Sequence, residues 1–302
     1  MKKILIICMT VALLFLLIKV IVLLLQNRFV FFPYKEYPLT PAQVSLPAED
    51  VFFTTRDGVR LHGWFFAGEP GAPVVLFFHG NGGNIGYCLE FVQRMRPLGW
   101  SWFLPDYRGY GRSEGRPTEA GLYRDGEAAL AVVRERFCPE PERLVLWGFS
   151  IGNVPATYLA SREKAGCLVL EAPFFNAGAM AAENPLLQVL FFFSSLELDT
   201  STYVRSCQLP KLFIHGTQDT IVPLDQGQAL FRLAPPPKDF YPVPEADHNN
   251  IFLVGGDPYR ETVARYDRER LAKPAISTPG CADLHAPPPP RPTRRTRPAT
   301  TP

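Results

Sequence analysis

Six short apolar runs, separated by longer amphipathic stretches, constrain this chain more than any other feature: Pro73–Phe78, Trp100–Leu104, Arg143–Trp147, Cys167–Leu170, Lys211–Ile214 and Lys238–Tyr241. A strand with helices above and below it is buried on both faces, so it reads as a continuous apolar run rather than an alternating one. The stretches between the runs have helical character. In Glu119–Arg136, Leu122, Ala129, Leu130 and Val133 recur at helical spacing. Ahead of the runs, Val51–Thr55 and Arg60–Phe66 flank Asp57-Gly58 and read as a hairpin. The pattern predicts an α/β fold with a mostly parallel central sheet flanked by helices. Phe174–Cys207 interrupts the alternation with Leu186, Leu187, Val189, Leu190 and Phe191–Phe193 and no obvious strand. Its two readings are an ordinary core helix and a short helical lid with apolar walls over a pocket.

The two ends differ from this body. Ile4–Leu25 is apolar except for Thr10 and Lys19. At about 1.5 Å per residue it spans roughly 33 Å, enough for a hydrocarbon core of about 30 Å. Lys19 lies near the end of the stretch, where its long side chain can snorkel to the interface. A cleaved signal peptide needs small residues at the end of the apolar stretch, and here Gln26-Asn27-Arg28-Phe29 comes next instead. The expected organisation is a single-pass anchor at 1–27, a juxtamembrane connector at 28–49 and an α/β domain at 50–273, with the lid at 174–207. Lys2 and Lys3 favour a cytoplasmic N-terminus, with the body on the non-cytoplasmic side.

Residues 274–302 hold nine prolines with threonine and arginine. They lack the apolar content to fold, and a disordered tail with no identified partner is expected. A Pro/Arg ligand for an SH3-type domain, through Pro287–Arg295, is the less favoured reading. Overall, 31 Lys plus Arg against 29 Asp plus Glu leave a net charge of +2. No global basic field exists to recruit nucleic acid. The cysteines are scattered, with no CxxC pair, so neither a metal site nor a disulfide framework is expected.

The chemistry centres on Gly148-Phe149-Ser150-Ile151-Gly152, which comes after the apolar run Arg143–Trp147 and precedes the helix-like Val154–Arg162. A tight strand-to-helix turn of this kind lifts a serine hydroxyl off the strand end, and the glycines give the turn room. Serine needs a base oriented by an acid. Among the histidines, His62 lies in the early hairpin, His285 in the tail, and His79 and His215 close strands. His248, on a loop after the last run, is free to approach Ser150. Asp219, just after a strand and between the two in sequence, is the expected acid, ahead of Glu171 and Asp247. Two N–H groups must face the developing oxyanion. They are expected from Ile151 and from Asn81 in His79-Gly80-Asn81-Gly82-Gly83-Asn84. A phosphate-binding loop is disfavoured there, because neither a Walker lysine nor GxGxxG is present.

These residues resemble the α/β hydrolases, in particular the membrane-anchored branch related to serine esterases and palmitoyl-protein thioesterases. The likeness extends to Asp106-Tyr107-Arg108-Gly109-Tyr110-Gly111-Arg112-Ser113, His215-Gly216-Thr217-Gln218-Asp219 and His248-Asn249. It departs at Asn153, where relatives usually carry a second glycine. The resemblance implies two-step acyl transfer through Ser150, Asp219 and His248 without a metal or organic cofactor. The implied substrate is an acyl ester or thioester, with lipid-derived esters suggested by the phenylalanine-rich stretch. A peptidase or amidase of the same fold and a catalytically silent scaffold are the alternatives.

Overall fold

Strands carrying large apolar side chains on both faces need cover on both, and the chain supplies it. The computed structural model describes residues 1–138 and 140–271. The strands are β1 (Phe32–Pro33), β2 (Glu49–Thr54), β3 (Arg60–Phe66), β4 (Val74–Phe78), β5 (Gly82–Gly83), β6 (Ser101–Asp106), β7 (Leu144–Phe149), β8 (Cys167–Glu171), β9 (Lys211–Gly216) and β10 (Lys238–Val243). Eight of them form one sheet in the order β10-β9-β8-β7-β4-β6-β3-β2. The β2–β3 and β3–β6 pairs are antiparallel and the others parallel.

The helices are α1 (Lys2–Val30), α2 (Leu89–Met95), α3 (Glu119–Val132), α4 (Asn153–Ala160), α5 (Ala177–Ala182), α6 (Pro185–Phe193), α7 (Thr200–Ser206), α8 (Leu224–Leu233) and α9 (Ile251–Leu271). Strand periodicity divides the core into two layers. Val74, Leu76 and Phe78 of β4, with Leu144 and Leu146 of β7, face one cluster. Val75 and Phe77, with Val145 and Trp147, face the other. The first cluster includes Leu122 and Leu130 of α3 and Val154 and Leu159 of α4. The second includes Leu89 and Phe91 and, from α9, Tyr259 and Val263.

The hairpin forms at β2–β3, and its register pairs Thr54 with Arg60. Helix α3 ends at Val132 and gives way to a wider turn over Val133–Phe137, within the expected Glu119–Arg136 apart from its last residue. Between β8 and β9 the stretch 174–207 folds as α5, α6 and α7, without a strand. No disulfide joins the described cysteines. The tail at 274–302, with His285 and Cys281, lies outside the described residues.

Helix α1 is long and apolar enough to cross a membrane, and among the described residues none of its side chains is buried. The chain just after it is bonded into the body. Within the 28–49 stretch, β1 pairs with β5, placing Phe32 beside Gly82 and Pro33 beside Gly83. Phe31 enters the core at 3% exposure. The Tyr34 carbonyl accepts from Gly111 N–H at 2.9 Å and from Asn84 Nδ2 at 3.0 Å.

Candidate active site

The parallel strands place their C-terminal ends along one edge, and β4 lies between β6 and β7, where the chain order reverses. In open α/β sheets this switch point is where ligands bind. Ser150 comes directly after β7 there, with backbone φ of +53°. A non-glycine residue in the left-handed region is strained, and such strain persists where surrounding structure enforces it. Two glycines do so here. A Cβ on Gly152 would lie 2.0 Å from the Phe78 carbonyl oxygen, and one on Gly148 would lie 2.6 Å from Asn153 Cα. Helix α4 therefore starts in direct backbone contact with β4 and β7.

Asn153 braces this turn. Its fully buried Nδ2 donates to the Ser150 carbonyl and to the Glu171 carbonyl, each at 2.8 Å. The close approach of α4 to the strand is taken up by Gly148, so glycine is not needed at 153. The amide instead ties the elbow to the end of β8.

After β9, the Asp219 Oδ1 accepts from the N–H groups of Ile221 (2.9 Å) and Val222 (2.7 Å). Its Oδ2 accepts from His248 Nδ1 at 2.8 Å. Burial alone raises the Asp219 carboxyl. The His215 ring close by and the hydrogen bonds from His248 and the Val222 N–H outweigh it and hold the group well below the usual carboxylate range. Asp219 is therefore an anion across the neutral range. With the Nδ1 proton committed to it, His248 keeps Nε2 as the acceptor. The His248 ring lies 5.1 Å from the Phe149 ring, next to Ser150 in sequence. Among the described residues no hydrogen bond joins Ser150 to His248; apo sites commonly tighten such bonds only with substrate bound.

The turn after β4 approaches the elbow from the other side. A Cβ on Gly80 would lie 3.0 Å from the Phe149 ring and 3.8 Å from Ser150 Cβ. Asn81 is fixed by its own side chain. Its Nδ2 donates to the Val30 carbonyl at the end of α1, and Tyr110 Oη donates to Asn81 Oδ1 at 3.0 Å. Ile151, 4% exposed, succeeds Ser150 on the other wall.

The remaining candidates are occupied elsewhere. Glu171 Oε2 accepts from Trp147 Nε1 at 3.1 Å and Tyr259 Oη at 3.0 Å, facing the core. Asp247 Oδ1 accepts from the Thr220 N–H at 2.9 Å. His62 Nε2 meets Asp50 Oδ1 at 2.6 Å, and Tyr37 Oη bridges His62 and Asp106 at 2.9 and 2.6 Å. His79 Nδ1 meets the Gly80 carbonyl at 2.7 Å. His215 is the residue that spacing alone does not reveal. Its Nε2 donates to the Val222 carbonyl at 2.9 Å and lies 3.4 Å from Asp219 Oδ2, which steadies the acid from behind.

Burial pushes the Glu171 carboxyl up to about 7, with the Trp147 and Tyr259 hydrogen bonds opposing it. Folded Glu171 therefore holds a proton between about pH 4.5 and 7 that the unfolded chain releases. Its contribution favours folding below the unfolded value and is lost as pH rises to about 7, a swing of about 3 kcal/mol. A glutamine side chain at this position would keep both hydrogen bonds through its carbonyl oxygen. Glu171→Gln is thus expected to flatten the fall in thermal midpoint between about pH 5 and 8. Equal slopes for the two proteins in melts across that range would refute this assignment.

The mostly parallel sheet, with a strained serine after β7 and an aspartate–histidine pair after β9 and β10 at the same edge, has the architecture of an α/β hydrolase. The comparisons agree. A family model described as serine aminopeptidase, S33, matches residues 69–202. The alpha/beta hydrolase domain-containing protein WAV2 of Arabidopsis thaliana is 33% identical over 263 residues, covering 78% of this chain and 85% of WAV2. The uncharacterized protein YfhR of Escherichia coli K12 is 32% identical over 229 residues, covering 72% of this chain and 80% of YfhR. With likeness of this extent, the chain belongs to the α/β-hydrolase family that includes WAV2. Among solved structures, the Pyrococcus furiosus esterase Pf2001 shares the fold with a TM-score of 0.67 at 21% identity, covering 80% of this chain and 98% of the esterase.

Proposed function

We propose that the protein is a membrane-anchored serine hydrolase that cleaves carboxylic esters or thioesters through Ser150, His248 and Asp219. The observation that carries this reading is the buried 2.8 Å bond between Asp219 Oδ2 and His248 Nδ1, at the same sheet edge as a serine with φ of +53°. His248 Nε2 takes the proton as Ser150 Oγ attacks the acyl carbon. The oxyanion rests on the N–H groups of Ile151 and Asn81. His248 then protonates the departing alcohol or thiol, and the acyl–serine bond is left as the bond to the leaving group breaks. A water molecule, deprotonated by His248, releases the acid and returns the proton to Ser150.

The anchor reading is supported by the way α1 ends. Val30 is bonded to Asn81 and Phe31 lies in the core, so the helix runs directly into the fold instead of into a cleavable spacer. The acyl site then stands close to the bilayer. From Leu25, where the apolar stretch stops, to Val30 the helix rises only about 7.5 Å. An ester or thioester with an acyl chain suits that position, and the esterase Pf2001 is a structural neighbour. The aminopeptidase description of the matching family favours a second reading, amide hydrolysis.

Turnover of p-nitrophenyl acyl esters and acyl thioesters by the full chain in detergent, beside aminoacyl p-nitroanilides, separates the two. Ester or thioester hydrolysis at least about 100-fold faster, in kcat/KM, than the anilides is expected. Preferential cleavage of the anilides would transfer the assignment to the peptidase reading.

A further inference from the structure

Helix α6 presents an apolar surface that the rest of the described chain leaves uncovered. Leu186, Leu187, Val189, Leu190 and Phe192 are all exposed, Phe192 at 77%. Between Pro185 and Phe193 the only polar side chain is Gln188, and there is no charge. Exposing so many large apolar side chains to water on so short a helix is costly, and contiguous patches of this kind mark contact surfaces.

The position of α6 identifies what covers the patch. The helix packs on α1, and the Phe193 ring lies 5.7 Å from the Phe15 ring. Phe15 is near the middle of the apolar stretch Ile4–Leu25, about 15 Å along the helix from its Leu25 end. If α1 spans a bilayer, a side chain reaching Phe15 is inside the hydrocarbon layer. A soluble protein or a peptide would have to enter that layer to cover α6.

The polar groups at the ends of α6 are arranged for such a place. Backbone at membrane depth must satisfy its own hydrogen bonds. Asn184 Oδ1 caps the N-terminus through the Leu186 N–H at 2.9 Å. At the other end Gln26 of α1 takes up the loop. Its Oε1 accepts from Ser194 Oγ at 2.8 Å and the Ser195 N–H at 2.9 Å, and its Nε2 donates to Ser195 Oγ at 2.8 Å. One anchor side chain thus holds both residues that come after α6.

From the exposed face, the Phe15–Phe193 contact and the Gln26 clasp, we propose that α6 is embedded in the acyl-chain region of the same bilayer leaflet that α1 leaves on its way to the body. Two helices, one spanning and one embedded, would then hold the hydrolase against the lipid surface in a fixed orientation. The inference rests on the reading of α1 as a membrane span, and the test separates the two.

Cysteines introduced one at a time at Leu186, Val189 and Phe192, in full-length protein with Cys8, Cys88 and Cys281 changed to serine and the buried Cys138, Cys167 and Cys207 kept, are labelled with an NBD fluorophore under native conditions. The proteins are reconstituted in phosphatidylcholine vesicles with or without bromine on the acyl chains. A label at Leu13 of α1 reports on the anchor. Quenching of about twofold or more by brominated lipid is expected at all three α6 positions. Unquenched α6 labels overturn the inference. If Leu13 is quenched in that case, the anchor reading survives; if Leu13 is also unquenched, both fall together.

Discussion

Asp219→Asn is expected to lower kcat for ester hydrolysis by about 10⁴ while leaving the protein folded. The size of the effect comes from the way the carboxylate is held. Oδ1 is already engaged by the Ile221 and Val222 N–H groups. The carbonyl oxygen of asparagine must stay on those donors, so its amide nitrogen replaces Oδ2 opposite His248. An NH₂ group there donates to Nδ1 and drives the ring proton to Nε2, which can then no longer accept from Ser150. Steady-state kinetics beside a thermal melt check this, and a loss of less than about tenfold in a folded variant would remove Asp219 from the site. The same depressed carboxyl gives a pH signature. A group with its folded pKa below the unfolded value contributes stability above about pH 4, which is lost as pH falls through the folded pKa. The wild type is therefore expected to lose more stability than Asp219→Asn on acidification below about pH 4.

Ser150→Ala is expected to cost at least as much, about 10⁴ to 10⁶ in kcat, because it removes the atom that forms the acyl bond. The surrounding turn does not depend on the hydroxyl. Asn153 Nδ2 bonds the Ser150 carbonyl, and Gly148 and Gly152 set the backbone contacts, so the variant should melt near the wild-type temperature. Alanine at φ of +53° is strained to much the same degree as serine. Residual turnover within tenfold of wild type in ester assays would mean that another nucleophile does the work.

The central sheet is legible in the sequence because its strands are buried on both faces, which leaves short uninterrupted runs such as Val74–Phe78 and Leu144–Trp147 that recur between helix-length amphipathic stretches. The elbow is legible for a related reason. Two glycines bracket one serine directly after a strand, and their contacts with the Phe78 carbonyl and Asn153 explain why both are small.

The features hidden from sequence lie in contacts between distant residues. The aromatic, proline-containing stretch after α1 has no periodicity, so nothing in it announces that Phe32 will pair with Gly82 or that Val30 will be bonded to Asn81. Asn153 reads as a departure from a glycine pattern because its partner, the Glu171 carbonyl, belongs to a strand that begins only later in the chain. His215 reads as an ordinary strand-end histidine, and only the fold brings its Nε2 to 3.4 Å from Asp219 Oδ2. The phenylalanine-rich stretch is ambiguous between core and lid, since composition records apolarity and not what covers it. Its partner, Phe15, lies far away near the N-terminus.

The most direct test of the account is reaction of the full-length, detergent-solubilised protein with a fluorophosphonate, followed by intact mass and peptide mapping. An activated serine with a free His248 Nε2 beside it predicts one phosphonyl adduct per chain, carried by the peptide containing Ser150 and absent from Ser150→Ala. A cooperatively melting wild type that takes up no adduct, or takes it up on another residue, would contradict it.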